Sequence, residues 1–134
     1  MKPEQERNPQ RPWCLADAAW IGIGGMAGSL IRHLTGYFIT TSFPVDTLLA
    51  NLVGCALLAF LYGIEHRLSH PVRLFHMVGF CGSLTTVSLF SAETLLYWNQ
   101  QHPGLAVFNV LLNLLFTLPL VLLLIHFGER KKWT

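Results

Sequence analysis

The sequence predicts an all-α membrane protein of four transmembrane helices, and three observations carry that expectation. Of its 134 residues, 52 % are hydrophobic and only 12 % charged, about half the charged share of an ordinary soluble domain. The charges crowd toward the chain ends: between Asp17 and Glu129 the only ones are Arg32, Asp46, Glu65, Arg67, Arg73 and Glu93. These few charges separate four apolar runs, each close to the roughly 20 residues a helix needs to cross a bilayer.

The elements follow in chain order. The opening MKPEQERNPQRPW is polar and proline-rich, with no apolar stretch close behind a basic start. Residues 1–15 therefore read as a polar cytoplasmic tail and not as a cleaved signal. The first span runs from about Ala16 to Ile39 and is interrupted by Arg32 and His33. Its Gly22, Gly24, Gly25 and Gly28 stand three and four residues apart, which lets helices pack backbone against backbone. The second span is TLLANLVGCALLAFLYGI, Thr47 to Ile64, followed by the polar EHRLSHPVR. The third runs from about Val72 to Trp98. The fourth runs from Leu105 to Phe127, so the helical domain covers 16–128 and a basic tail covers 129–134. That tail suits anionic lipid headgroups better than nucleic acid. Cys14, Cys55 and Cys81 are odd in number at unrelated spacings and two of them lie in apolar runs, which points to buried thiols and not to a disulfide framework.

Lysine and arginine in short loops orient a membrane protein. With four spans, both termini and the 2–3 loop share one side, and they hold Lys2, Arg7, Arg11, Arg67, Arg73, Arg130, Lys131 and Lys132, against Arg32 alone on the other. Both termini are expected in the cytoplasm. Four short helices offer little wall for a water-filled pathway, so oligomerisation is expected as well.

Polar side chains are costly in lipid and mark partners, cavities or pathways. Asn51 lies early in the second span, and Asn109, Asn113 and Thr117 recur every four residues in the fourth, on one helical face. That stripe serves either interhelical hydrogen bonding or a pathway. The third span contains GFCGSLTTVSLFSAE (79–93). Its glycines, serine and paired threonines weaken the helix at a depth where freed carbonyls need protein, water or a hard cation as partner. Phe90 and Glu93 follow within two turns; the positive edge of a phenyl ring can face a small anion.

Three segments then resemble the signature stretches of the CrcB/Fluc fluoride channels: GGMAGSLIRH (24–33), TLLANLVGCALLAFLYG (47–63) and GFCGSLTTVSLFSAE (79–93). The resemblance covers essentially all four spans. It implies a dimer of four-helix subunits inserted in opposite orientations, with two narrow fluoride pathways along the interface and a broken third helix. The carbonyls of Gly82 and Thr85 would hold a structural Na⁺ shared by the subunits. Asn51 would be the pore asparagine, its amide N–H groups donating to fluoride. Ser88, Phe90, Glu93, Asn109, Asn113 and Thr117 would line the ion pathway, and Arg32 would serve the vestibule or subunit packing. Implied too is passive export through the plasma membrane: fluoride enters acidified cells as HF, dissociates, and leaves down its own gradient, which confers fluoride resistance. Fluoride is strongly hydrated, so such a pathway replaces water with close donors at several weak sites.

Two departures from the family pattern stand out. Val87 occupies a position where the family has a second phenylalanine. The Lys/Arg bias of eight to one is also steep for a chain that must insert both ways. Both favour pairing with an oppositely oriented paralogue, with a homodimer as the alternative. Other readings are a non-conducting or partner-dependent subunit and a small four-helix multidrug exporter, although such exporters carry a glutamate in the first helix and this one has none. No enzyme is expected: His66 and His70 precede Pro71 with no third ligand at metal-site spacing.

Overall fold

The computed structural model describes residues 14–39 and 43–130. The expected tail over 1–13 and the last four residues of the basic tail lie outside the described residues, as do 40–42. The described chain is helical throughout its length apart from short connections: α1 (Leu15–Phe38), α2 (Val45–Gly63), a 3₁₀ turn (Glu65–Arg67), α3 (70–84), α4 (Val87–Asn99) and α5 (Pro103–Arg130). Three stretches are long and apolar enough to cross a membrane: Val45–Gly63, His70–Asn99, which joins α3 to α4, and Pro103–Leu123. α1 has comparable length at 24 residues, but Asp17, Arg32, His33 and its glycines dilute its apolar character.

Four of the five helices start for a local reason. Cys14 caps α1 in extended backbone, and its N–H donates to Asp17 Oδ2 at 3.2 Å; a carboxylate in the first turn also suits the positive end of the helix dipole. Asp17 Oδ1 in turn lies 3.1 Å from His70 Nε2, so the starts of α1 and α3 are tied together. Pro71 in the first turn of α3 and Pro103 at the start of α5 lack the N–H that such positions leave unbonded. Thr86 caps α4, its hydroxyl accepting from Leu89 N at 3.1 Å. Beyond α4, Gln101 takes a left-handed φ of 62° and turns the chain into α5.

α3 changes pitch along its length: α-helical at His70–Arg73, π-helical over Leu74–Cys81, α-helical again at Gly82–Leu84. Its wide middle packs on α1 at very short range. A Cβ at Gly79 would stand 2.5 Å from the Ile21 carbonyl, and Ser83 Oγ donates to the Gly25 carbonyl at 2.8 Å. Gly24 and Gly28 face this contact, whereas Gly22 and Gly25 meet nothing within 4 Å of a modest side chain's first atom. Two of the four glycines of the first span thus serve packing inside the subunit. α2 packs on α5, and α4 lies against α5 as well. At the far end Phe43 stacks on Tyr97 with centroids 6.1 Å apart and meets Phe108 at 5.6 Å, fastening the start of α2 to α4 and α5.

The interior mixes Leu61, Leu74 and Leu84 with many small and polar residues, and the outside is large and apolar. Ala50, Ala59, Cys81, Ala106, Thr47, Thr86, Asn109 and Asn113 are buried, while Trp20, Leu30, Val53, Phe60, Leu95, Leu115 and Leu122 are exposed. Water would not tolerate that distribution. It suits helices solvated by lipid, where small residues permit close approach and polar ones bond across the contact.

Candidate functional site

The site is built around the middle of the His70–Asn99 span, where the helix is interrupted. Thr85 (φ −75°, ψ 151°) and Thr86 (φ −149°, ψ 119°) are extended. In a continuous helix Thr86 N–H would bond the Gly82 carbonyl and Leu89 N–H the Thr85 carbonyl. Both donors are diverted: Thr86 N donates to Asn51 Oδ1 at 2.7 Å, and Leu89 N to Thr86 Oγ1. The carbonyls of Gly82 and Thr85 thereby lose their helical partners. Gly54 of α2 makes room for this turn, since a Cβ there would lie 2.5 Å from Thr85 Cγ2.

Asn51 is also the first of a chain of amides. Its Nδ2 donates to Asn113 Oδ1 at 3.0 Å and approaches the Thr86 carbonyl at 3.3 Å. Asn113 Nδ2 donates to Asn109 Oδ1 at 3.2 Å and to the Asn109 carbonyl at 3.1 Å. Asn109 Nδ2 donates to Thr94 Oγ1 at 3.0 Å, and Thr94 Oγ1 in turn donates a hydrogen bond to the Phe90 carbonyl at 2.8 Å. Asn109 is wholly buried and Asn113 is 5 % exposed, so the polar stripe of α5 faces α2 and α4. Thr117, half-buried, turns back to the Asn113 carbonyl of its own helix.

A second polar contact joins α2 to α4: Thr47 Oγ1 donates to Glu93 Oε1 at 2.5 Å, with Thr47 1 % exposed. Glu93 Oε2 is buried and has no hydrogen-bond partner among the described residues, an acceptor held ready for a donor, a proton or a water. Thr47→Val keeps the shape and removes the bond. It is expected to cost about 1–3 kcal/mol, because a second carboxylate oxygen then lacks a partner; a melting curve of the purified variant checks this.

The remaining candidates sit toward the outside. Ser88 is exposed, its hydroxyl 3.2 Å from Thr86 Oγ1; Phe90 is half-buried one turn further. Val87 is 77 % exposed, on the outer surface of the subunit. Gly82 is exposed with open space around it. Arg32 is half-buried near the end of α1, remote in sequence from the amide chain, and its carbonyl accepts Thr35 Oγ1 at 2.7 Å.

Sequence reasoning missed Thr47 and Thr94. Thr47 stands one helical turn before Asn51, which places both on one face of α2, and that spacing was the available signal. Thr94 had none beyond its place beside Glu93. Chemically, the arrangement offers backbone oxygens to a hard cation, whereas the Nδ2 groups of Asn51 and Asn113 each already meet two acceptors within the subunit. Among the described residues no three His, Cys, Asp or Glu side chains converge as metal ligands.

Comparison with known proteins bears on this arrangement. The family model described as CrcB-like protein, Camphor Resistance (CrcB), matches residues 19–126. A protein of Pyrococcus furiosus named fluoride-specific ion channel FluC is 40 % identical over 114 residues, 81 % of this chain and 93 % of its own length. Proteins of the same name from Methanococcus maripaludis and Shewanella frigidimarina are each 37 % identical. The first covers 77 % of this chain and 88 % of its own length, the second 82 % and 90 %. A match running from the first helix to the last, with such identity over most of each relative, makes this chain a member of the CrcB-like family.

Proposed function

We propose that the chain is a subunit of a fluoride-specific channel that lets fluoride leave the cell passively through the plasma membrane. It is not an enzyme; its part is to replace the water around fluoride with hydrogen-bond donors. The observation that carries this reading is the diversion of Thr86 N–H from Gly82 to Asn51, which puts freed carbonyls and a polar amide side by side in the middle of a membrane span. Family membership and relatives named as fluoride channels support it.

In this reading the carbonyls of Gly82 and Thr85 hold a Na⁺ shared by two subunits of opposite orientation, with the termini cytoplasmic. Asn51, Ser88, Phe90, Glu93 and the α5 stripe of Asn109, Asn113 and Thr117 belong to the pathway, and Arg32 to its vestibule or to subunit packing. The exposure of Val87 on the outer surface, where a second phenylalanine would face a partner, favours an oppositely oriented paralogue that brings its own rings.

The test is fluoride efflux from liposomes with Na⁺ present, followed with a fluoride-selective electrode. Flux without matching chloride loss is the expected result for a channel. If the chain alone is silent and co-reconstitution with such a paralogue restores flux, the heterodimer is the working unit. Silence of both would overturn the channel reading in favour of an assembly subunit.

A further inference from the structure

We propose that Asn113 and Asn109 act as positioning residues that hold the cation cradle open and thereby set its affinity for Na⁺. This rests on the reading of the helix break as a cation site. The amide chain has a fixed polarity because backbone groups anchor it at three points. Thr86 N–H can only donate, so Asn51 must present Oδ1 to it. The Asn109 carbonyl can only accept, so Asn113 must present Nδ2 there and Oδ1 to Asn51. Thr94 gives its proton to the Phe90 carbonyl, which leaves its oxygen to accept from Asn109. No amide in the chain can flip without breaking a bond to the backbone, and aligned bonds polarise one another.

Asn51 therefore has two tasks that meet in one side chain. Its oxygen takes the N–H that would otherwise close the helix onto Gly82, and its nitrogen is held by Asn113. Without Asn113 the Asn51 nitrogen keeps only the longer 3.3 Å contact to the Thr86 carbonyl, so the amide is held by Thr86 alone, through that contact and the 2.7 Å bond its oxygen accepts. A more loosely held Asn51 lets Thr86 N–H return part of the time to the Gly82 carbonyl, competing with the cation for the same oxygen.

Supports of this kind, which touch the ligating groups and not the ion, typically change metal affinity by about 10–100-fold. A cation that binds only the folded protein raises its melting temperature, which gives a readout independent of transport. The experiment titrates purified full-length protein with NaCl against N-methylglucamine chloride at constant ionic strength and follows thermal unfolding. The wild type is expected to gain stability with Na⁺. Asn113→Leu is expected to need at least about tenfold more Na⁺ for half the effect. Asn113→Ser is also too short to reach Asn51, yet small and polar enough to spare the packing, and is expected to behave alike. Leu112→Ala, next along the helix and outside the amide chain, should lower the melting temperature without moving the Na⁺ midpoint. A wild type that responds to Na⁺ while both Asn113 variants keep its midpoint would overturn the positioning role alone, as would an equal displacement in Leu112→Ala. A wild type indifferent to Na⁺ would overturn the cradle and this inference together.

Discussion

Gly28→Val is expected to abolish folded protein, while Gly22→Val leaves it intact. The two glycines lie six residues apart on one helix, and hydropathy treats them alike. The difference is what stands opposite. A Cβ at Gly28 would collide with the Phe80 carbonyl and with Ser83 Oγ, and would come within 3.1 Å of Leu84 N; at Gly22 it meets nothing within 4 Å. Two of the three Gly28 neighbours are backbone and cannot turn aside, so α1 and α3 must move apart. Overpacking of this kind costs about 1–3 kcal/mol or more. The separation also breaks the Ser83–Gly25 bond at 2.8 Å and loosens Gly24 and Gly79 in the same seam. Against a total stability of about 5–15 kcal/mol for a typical fold, that loss is severe. Size-exclusion chromatography of detergent-extracted protein checks it: Gly28→Val should give no monodisperse peak, and Gly22→Val a normal one. A normal peak from Gly28→Val would mean that α1 and α3 do not pack this closely. Loss of the peak in Gly22→Val would place that open face in a contact between subunits.

Asn51→Leu is the second large effect expected. The substitution keeps the branching of the side chain but removes every bond Asn51 makes: the acceptor for Thr86 N–H and the donor to the Thr86 carbonyl and to Asn113 Oδ1, the last two being left without this partner. At about 1–3 kcal/mol for each unsatisfied buried group, the sum exceeds that for Thr47→Val, which strips a single bond. The fluoride flux of an active assembly should fall to the liposome background, since the same side chain organises the break and the donors beside it. Melting temperature and electrode traces on one preparation check both parts. A stable, conducting Asn51→Leu would remove Asn51 from the site.

Helix number and approximate limits were legible in the sequence because each depends on local composition; of the four spans expected, three are long and apolar enough to cross a membrane. The third span was expected over Val72 to Trp98 and is observed as His70–Asn99; the second was expected from Thr47 and starts at Val45. The fourth helix runs on to Arg130, into the segment expected as tail, because charged residues such as Glu129 and Arg130 are good helix formers. Family membership was legible for the same reason, through three continuous motifs. The π-helical pitch of Leu74–Cys81 was not, because no residue type marks it.

By itself, then, the sequence determined that Asn51, Asn109, Asn113 and Thr117 are polar positions in lipid and that the third span weakens around its paired threonines. Tertiary structure alone decided how they combine. Asn51 accepts from Thr86 across helices and donates to Asn113, Asn109 reaches Thr94, and Thr47 reaches Glu93. It also separated Gly24 and Gly28, where a Cβ would strike α3, from Gly22 and Gly25, where a Cβ would meet nothing within 4 Å. The physical reason is geometric. Spacing along one helix fixes which residues share a face, but a hydrogen bond between helices requires rotation and height to agree within a fraction of an ångström. Those two quantities are set by the packing of all the helices together.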